Sequence, residues 1–323
     1  MFYMLGVAIC LAVLFLLIAG TLLFLVPACR LVSKSANSAS PDRVARWFFT
    51  VRMAPLLVSC VVTFGFVLPA FFKFEPRSTG ETMGLRLSGL AACGLVVVIA
   101  MAVRSVCIAL ATARTQAQWR RSSRKLYIEG FRFPLYCVDS PNALLAVTGI
   151  FRPKIFVTRK VVEALSPGEL SAALAHEWAH VRAFDNLKQT LLKITRPPLW
   201  LADIAWTNAS EIAADEAALA TGASVLDLSS ALVKVGRLGC QSGVAPGVAA
   251  SHLLPASPGS AVEMRVKHLE TILDGKGGVP VLHQGGRRTY RFLVPGLLGI
   301  AVYAACFYLV LPWVHEAMEL LVR

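Results

Sequence analysis

The chain has 323 residues, of which 56% are hydrophobic and only 16% charged, with a formal net charge of +13 and a mean hydropathy of +0.63. A soluble domain carries about 25% charged residues, so the composition excludes a wholly soluble protein and predicts a membrane protein with room for one polar domain. The positive charge admits nucleic acid or anionic lipid. The basic residues flank apolar runs, with no aromatic interleaving and no DNA-reading motif, so anionic lipid is the expected partner and direct nucleic-acid binding is not.

A membrane-spanning helix needs about 20 mostly apolar residues. The first candidate, 3–26, contains no charge. It has no basic segment before it and is too long for a signal-peptide core, so it reads as a retained span. The second covers 54–72 and the third 87–111, with Arg104 inside it. Arg104 either marks the cytoplasmic end by snorkelling or faces a partner within the bundle. The loop 27–53 carries Arg30, Lys34, Arg43, Arg46 and Arg52 against Asp42 alone, and the third span is followed by Arg114, Arg120, Arg121, Arg124 and Lys125. A fourth span, 292–314, follows Arg287, Arg288 and Arg291. By the positive-inside rule the basic segments are cytoplasmic and both termini exterior. The expected organisation is 1–113 with three spans, 114–286 as a polar cytoplasmic domain, and 287–323 with the fourth span and a short exterior tail.

The polar domain opens with strand-like segments at 126–128, 135–138, 144–147 and 154–158, separated by Gly and Pro. Ser166-Pro167-Gly168-Glu169 is a helix start, with a serine N-cap, proline at the first helical position and glutamate three residues on. The helix it opens runs to about Phe184 and is apolar almost all round, as a buried central helix is. Residues 187–207, interrupted by Arg196-Pro197-Pro198, form either an element against the membrane surface or a core helix pair broken by the prolines. A second helix is expected over 210–221, stopped by Gly222, and 236–261 reads as a flexible loop. The eight cysteines form no C-x-x-C pair and indicate neither a disulfide framework nor a zinc-cysteine site.

The central helix carries His176-Glu177-Trp178-Ala179-His180, an H-E-x-x-H motif. Positions i and i+4 lie on nearly one face, so two imidazoles can grip one zinc ion while Glu177 serves as base towards water. A catalytic zinc takes three protein ligands and keeps one position open. Glu211 is the best third ligand. Asp215, one turn on, is placed to accept a hydrogen bond from a ligand histidine. Glu216 points about 100° away from Asp215. Asp185 either supports the site or caps the helix end. Arg265 is a weaker candidate for contact with substrate or oxyanion.

The segments Thr148-Gly149, Arg152-Pro153-Lys154-Ile155, the H-E-x-x-H motif, Asp185 and Glu211-Ile212-Ala213-Ala214-Asp215 together resemble the BlaR/MecR-type membrane zinc metallopeptidases. The layout of three spans, peptidase and fourth span is similar too. The resemblance implies an α-helical membrane protein of four transmembrane helices. Between the third and fourth it implies an α+β zincin-like (gluzincin) cytoplasmic domain, with His176, His180 and Glu211 as zinc ligands and Glu177 as catalytic base. It also implies a bacterial cytoplasmic-membrane location and a protein substrate such as a small winged-helix repressor. Ser140-Pro141-Asn142-Ala143 is similar to the substrate-strand region of the related HtpX and CAAX-protease group, which implies that Asn142 lines the cleft and that membrane-protein quality control is the alternative role. A substrate peptide is expected to lie along an edge strand near 154–158. The sensor-transducers carry a penicillin-binding domain after the fourth span. This sequence ends at Arg323, so β-lactam sensing is not expected. The rival of another class is a non-catalytic membrane signalling or scaffold protein with structural zinc.

Overall fold

A computed structural model describes residues 2–32, 40–76, 83–128, 131–139, 145–195, 200–238, 250–252, 258–275, 303 and 307–322. The chain divides into two compact units, one of Met1–Ser35, Thr50–Ala102 and His283–Arg323, the other of Ala36–Phe49 and Val103–Leu282.

The first unit is helical. Helices α1 (Phe2–Val32), α2 (Pro41–Val62), α3 (Leu68–Phe74) and α4 (Leu85–Arg121) occupy the three predicted spans, each extending beyond the predicted limits. A π-helical turn, Thr63–Val67, joins α2 to α3 without a break. Among the described residues, three helices are long and apolar enough to cross a membrane, Phe2–Leu25, Pro41–Phe74 and Leu85–Arg121. Of the predicted fourth span, 292–302 and 304–306 lie outside the described residues, and α11 covers 307–322. Leu5, Ile9 and Ala12 of α1 pack with Ala70 and Phe71 of α3, Leu87 and Ala91 of α4, and Leu311 and Met318 of α11. Gly94 allows α4 to meet α1 backbone to backbone, since a Cβ there would run into the Leu11 carbonyl oxygen.

The second unit contains a five-stranded sheet of order β1-β2-β4-β3-β5. Its strands are β1 (Ser123–Ile128), β2 (Phe131–Val138), β3 (Leu145–Thr148), β4 (Lys154–Thr158) and β5 (Ala250–His252). Only β2 and β4 pair in parallel. Four of these strands match the predicted segments. The fifth arises inside the segment read as a loop, where α9 (Val225–Arg237) also ends and α10 (Pro258–Leu273) begins. Within that segment 239–249 and 253–257 lie outside the described residues. The expected docking edge at 154–158 is overturned. Strand β4 pairs with β2 on one side and β3 on the other, so its backbone hydrogen bonds are spent within the sheet.

A short α5 (Arg159–Ala164) leads into α6 (Pro167–Ala183), the predicted central helix. Its capping box forms: the Glu169 N–H donates to Ser166 Oγ (3.3 Å), and the Ser166 N–H donates to Glu169 Oε2 (2.7 Å). The same glutamate accepts from Ser230 Oγ and from Lys234 Nζ (2.7 Å), which ties the start of α6 to α9. These partners, Lys234 first, hold its carboxyl down to about 2. Leu170, Ala173 and Leu174 of α6 pack between Leu145, Val147, Ile155 and Val157 of the sheet and Leu228, Leu232 and Val235 of α9. Two helices, α7 (Asp185–Ile194) and α8 (Trp200–Ala220), occupy the interrupted region, so α8 starts ten residues before the helix predicted at 210. Thr190 and Leu192 of α7, and Ala202 and Trp206 of α8, are buried within the protein, as in the core-helix alternative. Gly222, at φ +100°, ends α8 as predicted. Arg104 donates to the carbonyl of Ile194 (3.3 Å), satisfying an orphan acceptor at the end of α7.

Candidate metal centre

Helix α6 presents His176, Glu177 and His180, all essentially inaccessible to solvent. The two imidazoles face each other through Nε2, 3.2 Å apart, with ring planes at 87°. Glu211 of α8 faces both: its Oε2 is 3.6 Å from His176 Nε2 and its Oε1 is 3.6 Å from His180 Nε2. Donors bound to one tetrahedral zinc at about 2.0–2.1 Å stand roughly 3.4 Å from one another. The observed separations lie near that value, with the two oxygens of Glu211 each approaching one histidine, and one donor atom from each of the three residues lies within 4.8 Å of the other two, so this donor set fits a zinc-sized ion. Among the described residues, His176, His180 and Glu211 form a buried group whose ligand atoms converge closely enough to hold a metal.

Each histidine is oriented from behind. His176 Nδ1 lies 2.8 Å from Asp215 Oδ1, and His180 Nδ1 lies 2.8 Å from Asp185 Oδ2. Burial raises both aspartates, but charge outweighs it: Arg265 and His176 bring Asp215 well below the ordinary carboxylate range, and His180 and Lys188 lower Asp185. An ionised carboxylate only accepts hydrogen bonds, so each Nδ1 donates to its aspartate and each Nε2 is the nitrogen that faces the shared centre. Asp215 sits one turn beyond Glu211 on α8, as the sequence spacing predicts. Asp185 reaches His180 because the chain turns sharply at Phe184, the only non-glycine residue with positive φ among the described residues (φ 58°, ψ 34°). Asn186, next in line, donates from Nδ2 to the carbonyls of Val147 (3.3 Å) and Gly149 (3.0 Å) and so fixes the end of β3 to the same corner.

Arg265, expected at the substrate, is instead fully buried on α10. Its Nε and Nη2 donate to the two oxygens of Asp215 (2.7 and 2.6 Å), and Nη1 donates to Glu211 Oε2 (2.9 Å). This fork braces the third metal-ligand candidate and its supporting acid at once. Burial raises the Glu211 carboxyl, while His180 and Arg265 together bring it below its ordinary value.

Glu177 is the exception in this network. Neither of its carboxylate oxygens completes a hydrogen bond, although both are buried. Burial pushes its pKa up to about 8, against opposing effects of His180, Arg265 and the nearby Val147 main chain. A buried acid left without partners costs free energy unless it serves a ligand or a reaction. Asn142 lies outside the described residues.

The sequence motifs marked His176, Glu177, His180, Glu211 and Asp215. They left Asp185 between two roles and missed Asn186, which carries no spacing signature of its own.

No curated protein matches the chain. The family described as BlaR1 peptidase M56 matches residues 87–253, more than half of the sequence, including most of α4, the sheet, and His176, His180 and Glu211. Its extent and the donor set within it agree, and the chain belongs to the BlaR1 peptidase M56 family of membrane-associated peptidases.

Proposed function

We propose that the protein is a zinc metalloendopeptidase anchored in the bacterial cytoplasmic membrane by four spans, with the peptidase domain inserted between the third and fourth and facing the cytoplasm. His176, His180 and Glu211 hold one zinc ion, Asp215 and Asp185 fix the histidine tautomers, and Glu177 is the general base. The single observation that carries this reading is the orphaned Glu177 carboxylate beside three converging donors. A structural zinc site has no use for a buried acid without partners, which argues against the scaffold alternative.

When bound, zinc would supply Lewis acidity towards the scissile carbonyl and the attacking water. Glu177 takes a proton from that water on a carboxylate oxygen and delivers it to the departing amine nitrogen. Arg265 keeps Glu211 and Asp215 in place through the change in charge. The protein substrate is a cytoplasmic regulator, a small winged-helix repressor being the expected kind, and the basic loops contact anionic lipid. The family membership supports this regulatory role over membrane-protein quality control.

The test compares full-length protein and the Glu177→Gln variant on the repressor candidate encoded nearest to this gene. Zinc-dependent cleavage by the wild type, with loss of about 10²–10⁴-fold in the variant and no loss of zinc, is expected. Retained cleavage in the variant removes Glu177 from the mechanism.

A further inference from the structure

Two contacts fix how the sheet is aligned along α4. The Trp119 and Phe156 rings meet with centroids 5.3 Å apart, and Gln116 Nε2 donates to the Thr148 carbonyl (2.8 Å). Thr148 pairs with Lys154, so passing along β4 from Phe156 to Lys154 follows α4 backwards from Trp119 to Gln116. The turn 149–153 therefore points towards the apolar part of α4. There Val103, Val106 and Leu110 are exposed, and Arg114 is the first exposed charge beyond them. Leu110 is only about 9 Å from Gln116 along the helix axis. Strand β2 is parallel to β4 and antiparallel to β1, so the end of that hairpin where Ile128 faces Phe131 points the same way. Asn186 ties the α6–α7 corner to Gly149 at this end (3.0 Å), and α7 carries the chain on to Arg104, which binds the Ile194 carbonyl.

The exposed aromatic side chains gather at this end. Among the described residues of 123–275 they are Phe151 (90% exposed), Tyr127 (86%) and Phe184 (65%). Phe151 stands in the β3–β4 turn, Tyr127 in the last residues of β1, and Phe184 at the α6–α7 corner. A single exposed apolar residue needs no explanation. Three aromatics on three separate connections, all where the apolar surface of α4 gives way to charge, do need one. Aromatic rings favour the membrane–water interface, and the exposed Lys125, Arg152 and Arg182 nearby suit anionic headgroups. Glu129, between β1 and β2, lies outside the described residues. We propose that Phe151, Tyr127 and Phe184 sit in the lipid headgroup layer around α4 and seat the domain on the membrane as an interfacial anchor. The anchor requires α4 to cross the membrane, as proposed above, and is independent of zinc. Asp185, which backs His180, belongs to the anchored corner, so the metal-ligand candidates are held next to the lipid surface.

The experiment uses full-length protein in nanodiscs of phosphatidylcholine and phosphatidylglycerol, with and without phosphatidylcholine that carries a doxyl quencher near its headgroup. Tryptophan is introduced one site at a time by Phe151→Trp, Val106→Trp and Leu226→Trp, and the emission added to that of the wild type is followed. Val106→Trp reports whether α4 itself lies in lipid. Leu226 is exposed too, but it adjoins Asp227, which stands against Gly168 at the start of α6, the far end of that helix from Phe184. The emission added by Phe151→Trp should be blue-shifted, lost largely to doxyl lipid and protected from aqueous iodide. That added by Leu226→Trp should be quenched by iodide and untouched by doxyl lipid. Quenching of Phe151→Trp by iodide and not by doxyl lipid overturns the anchor and makes this end of the domain a surface for a protein partner. If Val106→Trp still responds to doxyl lipid in that case, the span stands without the anchor. If it does not, the span fails with it.

Discussion

His180 and Asp185 meet across the α6–α7 corner, with 2.8 Å between Nδ1 and Oδ2. The contact matches that of His176 with Asp215, so each histidine has its own carboxylate behind it. Asp185→Asn and Asp215→Asn should each weaken zinc binding about 10–100-fold while leaving the three ligands present. Competition against a chromogenic chelator measures this. An unchanged affinity in both variants would mean that the carboxylates do not set the tautomers.

Arg265 is the counter-charge for Glu211 and Asp215. Arg265→Met leaves two buried carboxylates without it and should destabilise the metal-free domain by about 3–5 kcal/mol. Bound zinc supplies positive charge at Glu211, so the loss in melting temperature should be smaller in zinc than in chelator. Arg265→Lys should recover only part of it, because an ammonium cannot fork onto both acids. Equal melting temperatures for wild type and Arg265→Met would remove the brace.

The pH dependence of the metal-free protein follows from Glu177. Its folded pKa, about 8, lies above the ordinary value of 4.5. Between those two pH values the unfolded chain has released a proton that the folded one retains, so stability falls as pH rises, by up to about 1.4 kcal/mol per unit. Glu177→Gln removes this dependence. In chelator its melting temperature should gain on the wild type steadily from pH 5 to pH 8, and parallel curves would refute the shift.

Glu169 behaves in the opposite sense. Its folded pKa is about 2, below the ordinary 4.5, so its contribution is complete above pH 4.5 and disappears as pH falls through 2. Glu169→Gln should cost about 1–2 kcal/mol at pH 7 through the weakened cap. The gap from wild type should close on acidification, which denaturant titrations at pH 7 and pH 3 can read.

Local chemistry explains which parts were legible from sequence. The start of α6 was visible because Ser166 and Glu169 each satisfy a backbone N–H of the other, an interaction complete within four residues. The metal-ligand candidates were visible because helical spacing alone aligns His176 with His180 and Glu211 with Asp215. Strand β5 was not, since three residues in a Gly-, Pro- and Ser-rich stretch have no periodicity and exist as a strand only through pairing with β3. The early start of α8 was hidden by Pro197 and Pro198, which lie just before it. Arg265 gave no signal of its place, because its partners lie 50 and 54 residues away in sequence.

Phe184 gives the corner between α6 and α7 a further meaning. Its ring is 65% exposed, so packing does little to hold it in the left-handed region, where a bulky residue costs energy. What the turn delivers is Asp185 at His180 and Asn186 at β3. The acceptor for His180 Nδ1 is thus placed by a main-chain turn. Relaxing that turn would withdraw the acceptor from Nδ1, free the ring proton to move to Nε2, and silence the lone pair without displacing the histidine itself.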